Sequence, residues 1–119
     1  MAGVYGEINS KSDYQRVLRE ASSIVIRVLE GTPNDGTMQG VKKQLEAMKR
    51  WTDGGRKPSE IERRNIDVGV VAARELSDAT GELSDLAQKL CALNNYFEDW
   101  PTDAEAASAT DDDFVDEDD

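Results

Sequence analysis

Tyr14-Gln15-Arg16-Val17-Leu18-Arg19-Glu20-Ala21-Ser22-Ser23-Ile24-Val25-Ile26-Arg27-Val28-Leu29 decides the fold class. Tyr14, Val17, Leu18, Ala21, Ile24, Val25, Val28 and Leu29 return at steps of three and four, the spacing of one helix face and not of a strand. Such a stripe has to be covered by other helices, so the rest of the chain is read for partners. Upstream, Ser12-Asp13-Tyr14-Gln15 fits a capping box that would open this helix. Gly31 and Pro33 would close it.

Three more helices emerge by the same logic. Met38, Val41, Leu45, Met48 and Thr52 share one face of a second helix that starts between Asp35 and Thr37. Lys49 and Arg50 sit near the negative end of its dipole, and Asp53-Gly54-Gly55 ends it. Pro58 ahead of Ser59-Glu60-Ile61-Glu62 opens a third helix with a second capping box. Its interior, Ile66 to Ala73, is apolar on nearly every side except at Asp67, as in a helix packed between others, and Gly69 would permit close backbone approach there. Ser77 to Thr80 form a polar turn with Thr80 as N-cap of a fourth helix. That helix carries Leu83, Leu86, Ala87, Leu90, Asn94 and Phe97 and ends near Asp99, before Trp100-Pro101. The expected architecture is all-α: a four-helix bundle-like single domain, or three helices and a shorter partner, with short antiparallel connections. Residues 1–11 read as a flexible N-terminal arm and 12–100 as the helical domain. Residues 101–119 read as an acidic C-terminal tail too poor in apolar groups to fold alone.

The formal charge is −11, and residues 101–119 hold nine carboxylates with no Lys or Arg. That leaves −2 over residues 1–100, from 14 basic and 16 acidic side chains, so the tail carries the field. Such a chain repels nucleic acid and anionic lipid, because displacing phosphate counterions requires cations. Basic protein surfaces attract it and speed encounter. Cys91 is the single cysteine, so no disulfide framework exists and a reducing compartment is the default. The start, Met-Ala-Gly-Val-Tyr-Gly-Glu, lacks the basic and apolar runs of a signal peptide, and no apolar stretch is long enough to span a bilayer. A cytoplasmic protein is expected.

Little here can do chemistry. The chain has no histidine, the usual proton carrier near neutral pH and the commonest metal ligand. A four-helix di-iron centre cannot be built without Glu-x-x-His pairs, and Glu60, Glu62, Glu75, Glu82 and Asp85 fall mostly off the apolar stripes. Cys91 has no histidine to activate it and reads as a half-buried packing residue. Asp111-Asp112-Asp113 and Asp116 to Asp119 lack the shape of a calcium loop. Gly54-Gly55-Arg56-Lys57 has neither the preceding strand nor the spacing of a phosphate loop. No catalytic residue, cofactor or metal is expected.

Binding is the better use of these side chains. Trp51 lies beside the second helix's stripe and Trp100 after the last helix, and half-exposed tryptophans are over-represented at binding hot spots; a packing role at the edge of the core stays open for each. The outer edge and exit of the last helix, Asp85, Asn95, Tyr96, Glu98 and Asp99, sets an aromatic among acids. In the tail, Phe114 and Val115 lie within acid beside Asp111, Asp112 and Asp113, as in a segment that orders on a basic partner, although a plain solubilising role fits equally.

One constellation resembles a known family. Val68-Gly69-Val70-Val71-Ala72-Ala73-Arg74-Glu75-Leu76, with Glu82-Leu83-Ser84 after it and Asp13-Tyr14 and Lys43-Gln44-Leu45 before it, is similar to the small all-helical immunity proteins of the bacterial type VI secretion system. These are of the kind paired with an NAD(P)+-hydrolysing toxin. The resemblance covers roughly residues 12–97. It implies a non-enzymatic inhibitor that binds a cognate toxin effector and occludes its active site. The expected partner-binding residues are Trp51, Asp85, Tyr96, Glu98, Asp99, Trp100, Asp111, Asp112, Asp113 and Phe114. A homodimer stays open, as does the alternative of a helical adaptor or chaperone for a basic protein client.

Overall fold

The computed structural model describes residues 5–110. Over these, the chain is all-α, built from α1 (Lys11–Gly31), α2 (Gly36–Trp51), α3 (Glu60–Arg64), α4 (Val68–Glu75), α5 (Glu82–Asp99) and α6 (Asp103–Thr110). A single 3₁₀ turn at Asp53–Gly55 comes after α2. α1 and α2 form an antiparallel pair, and α5 is the central element, packed on α1, α3 and α4. The expected stripes are the core: Tyr14, Val17, Leu18, Ala21, Ile24 and Val25 from α1, Met38, Val41, Leu45 and Met48 from α2, Leu86, Leu90 and Phe97 from α5 are all buried.

The helix ends show where local chemistry differs from the expectation. Ser10, not Ser12, caps α1: its backbone is extended and its Oγ accepts from Asp13 N at 3.1 Å. Asp13 in turn accepts from the Asn9 amide at 3.0 Å. Asp35 caps α2 by accepting from Met38 N at 3.0 Å. Ser59 and Glu62 form the capping box expected at α3. The N-cap of α5 is Gly81 and not Thr80, with φ at +62°, a conformation that glycine adopts without a Cβ penalty.

The third expected helix is two, α3 and α4, broken at Asn65–Asp67. Ile66 and Val68 are both buried, and residues two apart point to different sides of one helix, so a continuous helix could not bury the pair on one side. Asn65 Nδ2 donates to the Ile61 carbonyl at 3.0 Å, which holds the end of α3. Gln44 of α2 grips the corner from both sides: its Oε1 accepts from Asp67 N at 2.8 Å and its Nε2 donates to Asp67 Oδ1 at 2.6 Å. The N-terminus of α4 is thus capped from other helices. Asp67 makes no side-chain cap bond, and the Gly69 amide donates to Asn94 Oδ1 of α5 at 2.7 Å.

Packing also extends past both expected boundaries of the domain. Tyr5 and Ile8 are buried, so from Tyr5 onward the expected arm is part of the core. At the other end Trp100 caps α5 in the left-handed region at φ 41°, its amide donating to the Tyr96 carbonyl at 2.7 Å. Lys11 fastens the segment after Trp100: its amide donates to Asp103 Oδ1 at 3.0 Å and its Nζ to the Pro101 carbonyl at 2.8 Å. Thr102 and Glu105 satisfy each other's amides, and Ala106 is buried. The first part of the expected tail is therefore helical and fastened at its start, by its caps, by Lys11 and by the buried Ala106.

Candidate partner interface

The residues singled out from the sequence divide between core and surface. Tyr96 and Trp100 are core. The rings of Tyr14 and Tyr96 stack at 5.3 Å between centroids, and Trp100 packs edge-on against Tyr14 at 5.2 Å and Tyr96 at 5.4 Å. Lys11 Nζ lies 5.3 Å from the Trp100 ring centroid, a cation over its face. Of the two readings open for Trp100, a half-exposed hot spot and packing at the edge of the core, the structure shows packing: Trp100 is 8% exposed, against Tyr14 and Tyr96 with Lys11 over its ring. Trp51 is half-buried, stacking over Phe97 at 6.5 Å, and its carbonyl accepts from Arg56.

Asp85, Glu98 and Asp99 reach the surface at separate places. Asp99 Oδ2 accepts from the Tyr5 hydroxyl at 2.7 Å. Burial, and then this carboxylate, push the Tyr5 phenol up to about 12. Asp85 lies 3.6 Å from Lys89 Nζ, in a cluster where Lys89 also meets Glu7 at 3.1 Å and Glu20 at 3.3 Å. Arg16 ties Glu7, Glu20 and Asp13 together from the other side. The Lys89 side chain is only 11% exposed. Its burial would lower its pKa, but hydrogen bonds to Glu7 and Glu20 outweigh that and hold it above the ordinary lysine value. The Arg16 hydrogen bond in turn holds the Glu7 carboxyl below the usual range. An ammonium therefore fills the centre of this carboxylate cluster, which makes it an ion-pair clamp between α1, α5 and the N-terminal segment. Among the described residues no group of three or more His, Cys, Asp or Glu side chains is placed to hold a metal. Asp111, Asp112, Asp113 and Phe114 lie outside the described residues.

Glu98 belongs to a different surface, one that sequence reasoning missed. The break between α3 and α4 opens a groove of about 560 Å³ against α5. Its floor is Gly69, Cys91 and Asn94, and its rim is Arg64, Asp67, Val70 and Glu98. A Cβ at Gly69 would lie 3.1 Å from both Cβ and Oδ1 of Asn94, so glycine is what lets α4 sit this close to α5. Cys91 is half-buried as expected, with its Sγ 3.8 Å from the Gly69 carbonyl. Val70 is 56% exposed and Ile61, one helical turn from Arg64, is 71% exposed. Large apolar side chains left in water beside a concave, polar-rimmed groove have the anatomy of a protein interface. The signal was hidden because an unbroken, apolar third helix implies burial on every side.

Likeness to known proteins extends over most of this body. The model of one protein family, Tsi6, a type VI secretion immunity family, matches residues 13–99. No curated protein and no solved structure matches the chain.

Proposed function

Because the chain belongs to the Tsi6 family of type VI secretion immunity proteins, we propose that it inhibits its cognate toxin by covering the toxin's active site. We further propose that this toxin hydrolyses NAD(P)+ or handles a related nucleotide or ADP-ribosyl group. The family match over residues 13–99 carries the reading and brings a toxin partner with it. The chemistry of the toxin is supported by charge. Clefts that hold nucleotide phosphates are cationic, and this chain offers a net −11, concentrated in nine carboxylates after residue 100. Such a field steers association and repels nucleic acid and anionic membranes.

Inhibition on this reading is by occupancy, without turnover or cofactor, in the cytoplasm of the producing cell. Among the described residues, the carboxylates of Glu7, Glu20 and Asp85 are already engaged by Lys89 and Arg16, and the chain has no histidine to move a proton. Trp51, Asp85, Glu98 and Asp99 are proposed contacts from the folded body, with Asp111, Asp112, Asp113 and Phe114 from the tail. Tyr96 and Trp100 act by shaping the surface from below. No helix of the described residues is long and apolar enough to cross a membrane.

The test is NAD+ consumption by the purified product of the adjacent toxin gene, titrated with this chain. Activity is expected to fall to zero at one equivalent. A toxin inhibited in a different reaction would overturn the nucleotide assignment alone; a neighbour that is neither toxic nor bound would overturn the inhibitor reading.

A further inference from the structure

We propose that the groove between the α3–α4 corner and α5 is the docking site for the toxin, and that it takes an apolar side chain flanked by a lysine or arginine. The inference rests on the inhibitor reading above and adds where the toxin binds and by what chemistry. Three observations converge on this surface. Ile61 and Val70 are the two most exposed of the large apolar side chains that face solvent among the described residues. Val70 lines the groove, and Ile61 stands one helical turn from its rim residue Arg64. A globular helix pair gains nothing by placing them there, because neither contributes to the core; burying each under a partner recovers the transfer free energy the fold leaves unused. Next, the rim is unevenly neutralised. Arg64 is held by Glu60 at 2.9 Å, whereas Asp67 and Glu98 have no cation paired to their carboxylates among the described residues. Arg63 donates instead to the main-chain carbonyl of Glu98, at 3.0 Å. A basic side chain from outside completes that rim. Finally, the groove is built on rigid parts. Its floor is fixed by the Gly69–Asn94 hydrogen bond and its corner by the two-way Gln44–Asp67 clamp. A preformed site loses little entropy on binding.

The experiment uses the full chain and the purified toxin, with affinity read by calorimetry or interferometry and inhibition read by toxin turnover. Val70→Asp is expected to weaken binding about 30-fold, the scale of an interface hot spot. Glu98→Lys is expected to weaken it about 10-fold, mainly through slower association that salt masks. Ile26, 47% exposed on α1, supplies the control: Ile26→Asp is expected to bind as the wild type does. All three positions are exposed, and unchanged thermal midpoints confirm that folding is intact. Wild-type affinity in both Val70→Asp and Glu98→Lys, with the wild type still inhibiting, overturns the groove and spares the inhibitor reading. A loss in Ile26→Asp equal to that in Val70→Asp also overturns it, because the effect is then not local. Failure of the wild-type chain to bind overturns both.

Discussion

The contact between Gly69 and Asn94 makes a prediction whose size can be worked out. Asn94→Ala removes the acceptor of the 2.7 Å bond that caps α4 and leaves a Gly69 amide unpaired at a part-buried helix start. Such a loss costs about 1–3 kcal/mol. Gly69→Ala acts in two directions. Replacing glycine within a helix gains about 1 kcal/mol of propensity. The new methyl, however, would sit 3.1 Å from Asn94 Cβ and Oδ1 and 3.3 Å from its Cγ, so α4 must move off α5 and the cap bond must lengthen. Overpacking of this kind costs about 1–3 kcal/mol and the weakened cap bond about 1 more, which leaves Gly69→Ala a net loss of about 1–3 kcal/mol. In the Asn94→Ala background the Oδ1 and Cγ obstacles are gone and the bond is already absent. There only the Cβ contact remains to offset the propensity gain, and Gly69→Ala is expected to cost less than about 1 kcal/mol. Urea unfolding monitored by circular dichroism closes the cycle, with an expected coupling of about 1–2 kcal/mol. Additivity within about 0.3 kcal/mol would refute both the cap and the close approach.

The remaining predictions concern other parts of the fold. All three tyrosines, Tyr5, Tyr14 and Tyr96, have raised pKa values, chiefly through burial, with Tyr5 and Tyr96 pushed up to about 12. Because the folded value lies above the ordinary 10, the stabilisation is whole below pH 10 and is lost as pH climbs towards 12. Phenolate absorbance should therefore stay flat to beyond pH 10 in the native protein; a tyrosine that ionises near 10 without unfolding would contradict its burial. Trp100→Ala should cost about 3–5 kcal/mol, the price of an emptied aromatic core site. A Trp100 that served only as an exposed hot spot would leave the unfolding midpoint unchanged. Removal of residues 111–119 should leave the unfolding free energy within about 0.5 kcal/mol and slow toxin association about tenfold at low salt. An association rate that ignores both truncation and salt would show that the tail does not steer.

Periodicity carried most of the fold. The stripes of α1, α2 and α5 were legible because each buries one continuous face, and Ser59 with Glu62 was legible because a capping box is local. The features that escaped are set by distant groups. Ser10 outcompetes Ser12 because Asp13 is placed to receive Asn9 from outside the helix, and the break at Asn65–Asp67 depends on Gln44 from α2. Thr80 yields to Gly81 because the chain must turn through a positive φ there. Trp100 stayed open between hot spot and core edge because it lies beyond the last apolar stripe, and its neighbours include Tyr14 and Lys11 from the far end of the sequence. For the candidate site the sequence yielded Glu98 and the close approach at Gly69. The groove itself, with Ile61, Asp67 and Val70, exists only because the third helix is two.

α5 touches α1, α3 and α4, its last residue Asp99 accepts from Tyr5, and the segment after it is fastened to Lys11. During translation the ribosome therefore delivers the keystone late. Until α5 emerges, the apolar faces of α1 and α4 lack their principal partner, and a nascent chain offers them to chaperones and proteases instead. Acquisition of the native state should then be abrupt and tied to the appearance of α5 and Trp100, not accrued turn by turn. Cells that need this protein in working order must finish making it before they need it.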